Sequence, residues 1–115
     1  LLYLPQAKTY HRSCGLGPCV VLGVDEETAR SWQINIEIWR AGVVEFEGQT
    51  SVGQIKRTFA ELAGYLFRSQ SFPHGAILLT GTGIVPPDGF TLAAGDLVKI
   101  IISGIGELVN PVVEV

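Results

Sequence analysis

Methionine is absent from all 115 residues, so the chain carries neither an initiator nor an internal start. The expectation is a processed, excised or truncated chain. Its opening, Leu1-Leu2-Tyr3-Leu4-Pro5, also lacks a basic n-region and does not read as a signal peptide. Charge is scarce: 17% of residues are charged against 47% hydrophobic, the reverse of a disordered chain. The eight Lys and Arg are scattered singly and the net charge is −3, so no basic stripe exists to neutralise nucleic-acid phosphates. No apolar run reaches the roughly 18–20 residues of a membrane span. The longest, Leu97 to Ile102, is interrupted by Lys99. Cys14 and Cys19 are too few for a disulfide framework and the wrong number for a zinc cage. They read as buried free thiols of a cytosolic (cytoplasmic) protein. What remains is one domain, or part of one, long enough to bury a core.

Along the chain, Cys19 to Val24 is a short Val-rich run between Gly17-Pro18 and Asp25-Glu26-Glu27, which predicts a buried strand entering an acidic turn. The clearest alternation follows. Trp32, Ile34, Ile36 and Ile38 face one way and Gln33, Asn35 and Glu37 the other, and Val44 and Phe46 continue the pattern against Glu45 and Glu47. With Arg40-Ala41-Gly42 between the runs, this predicts a β-hairpin with one wet face. Ser51 with Gln54 gives a capping-box signal, and Val52, Ile55, Phe59, Leu62 and Leu66 form one apolar stripe of a helix ending near Ser69. Ala76 to Leu79 reads as another buried strand, leading into the small-residue loop Thr80-Gly81-Thr82-Gly83. Turns at Pro86-Pro87-Asp88-Gly89 and Ala94-Gly95-Asp96 precede two last strands, Leu97 to Ser103 and Glu107 to Val115. The expected class is α+β: a curled mixed β-sheet, roll- or barrel-like, with one amphipathic helix.

Few residues offer chemistry. Lys8 precedes the glycine-rich Gly15-Leu16-Gly17-Pro18 and reads either as a cation at the mouth of a site or as a solvated surface lysine. His11 and His74 have no partner at a metal-ligand spacing. In Thr80-Gly81-Thr82-Gly83, free amides and threonine hydroxyls would suit a carboxylate or phosphate oxygen. The same four residues also read as a tight turn whose glycines supply positive φ. Asp25-Glu26-Glu27 reads as a solvated turn, since no downstream carboxylate completes a set of cation ligands.

Taken together, these segments resemble the fumarylacetoacetate hydrolase family. The residues carrying the likeness are Ala7-Lys8-Thr9-Tyr10-His11 with Leu16-Gly17-Pro18, Gln49-Thr50-Ser51 before a helix, and Thr80-Gly81-Thr82. Gly95-Asp96-Leu97-Val98 and the tail Gly104-Ile105-Gly106-Glu107-Leu108-Val109-Asn110-Pro111-Val112 complete it. The resemblance implies the carboxy-terminal part of that family's catalytic core, covering residues 1–115. In the family a Glu-x-Glu pair and an aspartate bind a divalent cation (Mg, Mn or Ca), and all three precede the lysine stretch. No metal ligand is therefore expected in this chain, and no tightly bound cation. What the resemblance carries over is Lys8 as the catalytic cation facing the substrate, and Thr80, Gly81 and Thr82 as the substrate-binding loop. The implied substrate is a small 2-oxo acid, and the implied reactions are those of a hydro-lyase or a C–C bond hydrolase, in a homodimer. Ala7 and His11 depart from the usual Gly and Asp. Gly83 stands where Pro is usual, which is more like the branch that dehydrates 2-keto-3-deoxy sugar acids. Two other readings stand beside this one: a non-catalytic module that binds a small carboxylate, and a structural piece that dimerises through its hairpin.

Overall fold

A β-hairpin organises the fold. In the computed structural model, which describes residues 4–115 (the side chain of Leu4 excepted), β1 (Gln33–Arg40) and β2 (Val43–Ser51) pair antiparallel. Residues 1–3, where the chain opens without a signal-peptide pattern, lie outside the described residues. Ala41 and Gly42 both adopt positive φ, 48° and 81°, the conformation that lets a two-residue turn follow the twist of its strands. Pairing of β1 with β3 (Leu97–Ile102), and of β3 with β4 (Gly106–Pro111), completes a four-stranded sheet of order β2-β1-β3-β4. Every pairing is antiparallel, and β2 and β4 are free edges, so the sheet is open. The expected curled, mixed, barrel-like sheet is corrected on this point: closure would require an edge-to-edge ladder that these strands do not make. The α+β class holds.

Register assigns the two faces. Ile34, Ile36 and Ile38 stand opposite Ile102, Ile100 and Val98, and opposite Thr50, Gly48 and Phe46, on one apolar face. Leu108 and Asn110 on β4 extend it. The other face carries Asn35, Glu37, Glu47, Gln49, Lys99 and Glu107. Glu37 and Glu47 are like charges directly opposite each other, which alone would weaken the pair. Lys99 offsets this, with its Nζ 3.9 Å from Glu37 and 3.5 Å from Glu107, and the Trp39 indole donates to Glu37 at 2.8 Å. The lysine that interrupts the apolar run thus belongs to the wet face. A bulge between Ile38 and Trp39 places Val44 opposite Trp39 and Phe46 opposite Ile38, so Val44 and Phe46 do not share a face as their spacing suggested.

The helices differ more from expectation. Ser51 stays in the ladder opposite Gln33, at φ −132°, and its side chain caps nothing. Only a 3-10 turn, Val52–Gln54, follows it. The amphipathic helix α3 is Phe59–Phe67, capped by Thr58, whose hydroxyl accepts from the Glu61 amide at 3.1 Å. Two short helices, α1 (Leu4–Lys8) and α2 (Glu26–Arg30), were not foreseen. Asp25 caps α2 by accepting from Thr28 N at 2.7 Å. Glu26 accepts from Phe59 N and from Arg30, whose guanidinium also donates to the carbonyls of Ile55 and Arg57. The acidic turn is therefore a clamp between α2 and α3.

Cys19 to Val24 and Ala76 to Leu79, expected as buried strands, pair with no strand among the described residues and are exposed. Leu22 and Leu79 retain 86% and 69% of their surface. Cys14 and Cys19 are exposed for the same reason, which corrects the expectation of buried thiols. Ile38 is the only buried hydrophobic side chain among the described residues, and the accessible surface is 8907 Å². A compact monomer of 12.4 kDa would present about 6100 Å². The radius of gyration of 15.8 Å likewise exceeds the about 13 Å of a compact chain of this length. Much of the exposed apolar surface lies outside the sheet, at Leu16, Val20, Leu22, Ile77, Leu79 and Val85.

Among the described residues one polar side chain is completely buried. Asp96, in the turn before β3, takes two hydrogen bonds of 2.8 Å from Arg40 of β1 and one of 2.9 Å from Ala93 N. Arg40 also donates to Thr91 O and lies over the Phe90 ring, which packs near Phe46. The bonds from Arg40, with that from the Ala93 amide, hold the Asp96 carboxyl down at about 2, below its ordinary 3.8. Because the folded value is the depressed one, the stability this carboxylate contributes is complete above 3.8 and is lost as pH falls from there towards 2. Acid titration of folding should show this slope in the native chain and a flatter one in Asp96→Asn.

Candidate functional site

The loop Thr80-Gly81-Thr82-Gly83 is shaped by its glycines and one hydroxyl. Gly81 has φ +90°, which side-chain-bearing residues rarely adopt. The Thr82 hydroxyl accepts from Ile84 N and donates to Ile84 O, both at 3.1 Å, closing the loop on itself. Among the described residues, the amides of Gly81, Thr82 and Gly83 donate to no protein acceptor. Three consecutive unpaired N–H groups can receive a carboxylate oxygen. The Thr82 hydroxyl proton, by contrast, is already directed at Ile84 O, so the side chain shapes the cradle more directly than it fills it. That division of labour between amides and hydroxyl was not visible in the sequence.

Two contacts seat the loop on the apolar face at β2. A Cβ built on Gly48 would fall 2.5 Å from Ile84 Cγ2, and one on Gly83 would lie 3.3 Å from Thr50 Oγ1. At the other edge of the same face, the segment after Lys8 crosses β4. A Cβ on Gly15 would meet the Asn110 amide, one on Gly17 would meet Leu108 Cδ1, and Cys19 Sγ lies 3.5 Å from Ile105 O. The two segments therefore share a face and lie over opposite edges of the sheet, three strand spacings or roughly 14 Å apart. Lys8 is the exposed last residue of α1. No hydrogen bond or ion pair joins it to the Thr80–Gly83 loop among the described residues.

Several other charged groups are committed elsewhere. Among the described residues no group of three or more His, Cys, Asp or Glu could hold a metal ion. Asp25 caps α2, Glu26 binds Arg30, Glu37 and Glu107 flank Lys99, and Asp96 binds Arg40. These carboxylates do not fit a magnesium site, which needs several oxygens converging in octahedral geometry.

An open antiparallel sheet carrying a glycine-threonine loop over one edge and the Gly15 to Cys19 segment over the other has a known relative in sequence. Residues 2–113 match the fumarylacetoacetate (FAA) hydrolase C-terminal family model, and the chain belongs to that family. It is 43% identical, over 99% of its length, to a probable 2-keto-3-deoxyxylonate dehydratase of Haloferax volcanii. It is 41% identical over 96% of its length to the 2-dehydro-3-deoxy-D-arabinonate dehydratase of Saccharolobus solfataricus. A solved 2-keto-3-deoxy-D-arabinonate dehydratase, in complex with magnesium and 2,5-dioxopentanoate, superposes with a TM-score of 0.88 at 42% identity and 96% coverage. The apo form of that enzyme gives the same values. The chain spans only 39% and 37% of the two sequence relatives and 39% of the solved chain.

Proposed function

We propose that this chain is the substrate-side portion of a magnesium-dependent hydro-lyase that removes water from a 2-keto-3-deoxy sugar acid. The observation that carries the reading is the identity of more than 40% to two such dehydratases along nearly the whole chain. In this reading the amides of Gly81 to Gly83 hold the substrate's carboxylate or 2-oxo end, Thr80 and Thr82 shape that cradle, and Lys8 supplies positive charge. The cation, which the described carboxylates do not fit, is held by the part of the relatives' length that this chain does not span. When bound, it supplies a Lewis acid for the 2-oxo group. A 2-keto-3-deoxypentonate that loses one water has the composition of 2,5-dioxopentanoate, the compound bound in the solved relative.

The test is to incubate the complete protein with 2-keto-3-deoxy-arabinonate or -xylonate, with magnesium or a chelator, and to identify products by mass spectrometry. A magnesium-dependent product lighter by one water is expected. Cleavage of an acylpyruvate into two fragments, with no dehydration, would instead select the C–C hydrolase reading. Thr82→Val should open the loop by removing both bonds to Ile84, raising KM roughly 10-fold while kcat changes little. Thr82→Ser, which keeps the hydroxyl, should remain near the native value.

A further inference from the structure

The geometry points to Gly48 as a positioning residue: by leaving no Cβ on β2 it seats Ile84, and through Ile84 it fixes the Thr80–Gly83 loop. The claim rests on the proposed function for what the loop binds, and on packing alone for what holds the loop.

Gly48 occupies the middle of β2, opposite Ile36, where glycine is normally unfavourable for want of a side chain to pack and for its backbone entropy. Its backbone gives no reason for glycine, since its φ is not in the positive region. Packing gives one. A Cβ there would overlap Ile84 Cγ2 at 2.5 Å, while Phe46 Cζ and Ile36 Cγ2 stand at ordinary distances of 3.4 and 3.5 Å. The missing methyl therefore makes room for one partner only. Ile84 has no other obvious hold. Among the described residues, no backbone hydrogen bond ties residues 76–85 to the sheet. Ile84 is half-buried, whereas Ile77, Leu79 and Val85 on either side stay largely exposed. Both bonds of the Thr82 hydroxyl end on Ile84, so displacing Ile84 displaces the atoms that close the loop. Thr50, two residues along the same face of β2, receives Gly83 and makes the second point of the seat.

A residue that only stabilised the sheet would affect all strands. A seat should affect the loop, and only while Ile84 is there to be displaced. The test uses the complete protein with Gly48→Ala, Ile84→Ala and the double variant, read by amide hydrogen exchange and by steady-state kinetics. Gly48→Ala is expected to speed exchange of the Ile84 amide roughly 10-fold and leave the β1–β3 ladder unchanged, because local opening is decoupled from global unfolding. KM should rise with kcat nearly constant. In the Ile84→Ala background the same substitution should change exchange less than about 2-fold, the signature of two residues acting through one contact. Should Gly48→Ala fail to fold, Ile84→Ala alone still decides, since removing the anchor must loosen the loop by itself. Uniform acceleration across the strands, additive effects in the double variant, or an unaltered loop in Ile84→Ala would overturn the proposal. If exchange shows the coupling but neither Gly48→Ala nor Thr82→Val alters KM, the seat stands and the substrate role of the loop falls.

Discussion

Ile38→Ala is expected to cost about 2–5 kcal/mol of folding stability, the range for truncating a buried aliphatic side chain. Ile38 retains only 3% of its surface and is flanked on the apolar face by Phe46 of β2 and Val98 of β3. It is held there from two sides. The hairpin turn at Ala41-Gly42 and the bulge beside Trp39 fix where β1 meets β2, and the Arg40–Asp96 pair fixes where it meets the start of β3. The surrounding strands can therefore close over a cavity only by breaking that register. Ile34 and Ile36 lie on the same face but are half-buried, and should lose much less on truncation. Urea denaturation of the three alanine variants separates these cases. A cost below about 1 kcal/mol at Ile38, comparable with its neighbours, would mean that the site collapses freely or that stability resides elsewhere.

The elements that could be read in the sequence are those whose signal is local. Alternation from Trp32 to Ile38 and the Arg40-Ala41-Gly42 connection specify a hairpin whichever strands lie beside it. The strands expected over Leu97 to Ser103 and Glu107 to Val115 form as Leu97–Ile102 and Gly106–Pro111, the second taking in Gly106 and ending at Pro111 rather than Val115. Misreadings arose where local signals competed or where the partner was distant. Ser51-x-x-Gln54 and Thr58-x-x-Glu61 both carry the capping-box pattern, seven residues apart, and only Thr58 caps a helix. Val52 and Ile55 happen to fall on the stripe of α3, so the first box looked sufficient. Ser51 is instead retained by its pairing with Gln33, a contact no helical pattern reveals. Cys19 to Val24 and Ala76 to Leu79 carry the composition of strands buried on both sides. Composition says what such a segment requires but not what it pairs with, and the described residues supply no partner.

The candidate site divides along the same line. Thr80-Gly81-Thr82-Gly83 was legible as a tight loop of small residues because its glycines and hydroxyls are contiguous. Its seat was not, since Gly48 and Ile84 meet only after the sheet has formed. Asp96 and Arg40 are likewise far apart in sequence and give no sign of pairing. Glu26 and Arg30 stand at helical i,i+4 spacing, a local signal of α2 that the acidic run Asp25-Glu26-Glu27 overshadows. The exposed strand-like segments account for much of the large accessible surface of a chain that spans about two-fifths of the length of its relatives.

In the proposed hydro-lyase, Lys8→Met should lower kcat by roughly 10²–10³-fold and leave KM nearly unchanged, as loss of one preorganised group that stabilises developing charge does. Removing water from a 2-keto-3-deoxy acid begins with loss of a proton beside the 2-oxo group, which moves negative charge onto that oxygen. An ammonium near it is worth little to the neutral ketone and more as the charge develops. At about 4 Å and an effective dielectric near 20, the attraction is on the order of 4 kcal/mol, matching the expected loss of rate. Methionine preserves the length and apolar stem of the side chain, so the change isolates charge. Lys8→Arg keeps the charge but spreads it over a planar fork, and should recover only part of the rate. Lys8 ends a short exposed helix, and it is the segment after it, Gly15 to Cys19, that crosses β4 at the edge opposite the loop. The contribution of Lys8 therefore depends on its side chain reaching the 2-oxo end of a substrate held at the loop. A rise in KM at constant kcat would assign Lys8 to holding the resting substrate. Unchanged kinetics would leave it a solvated lysine.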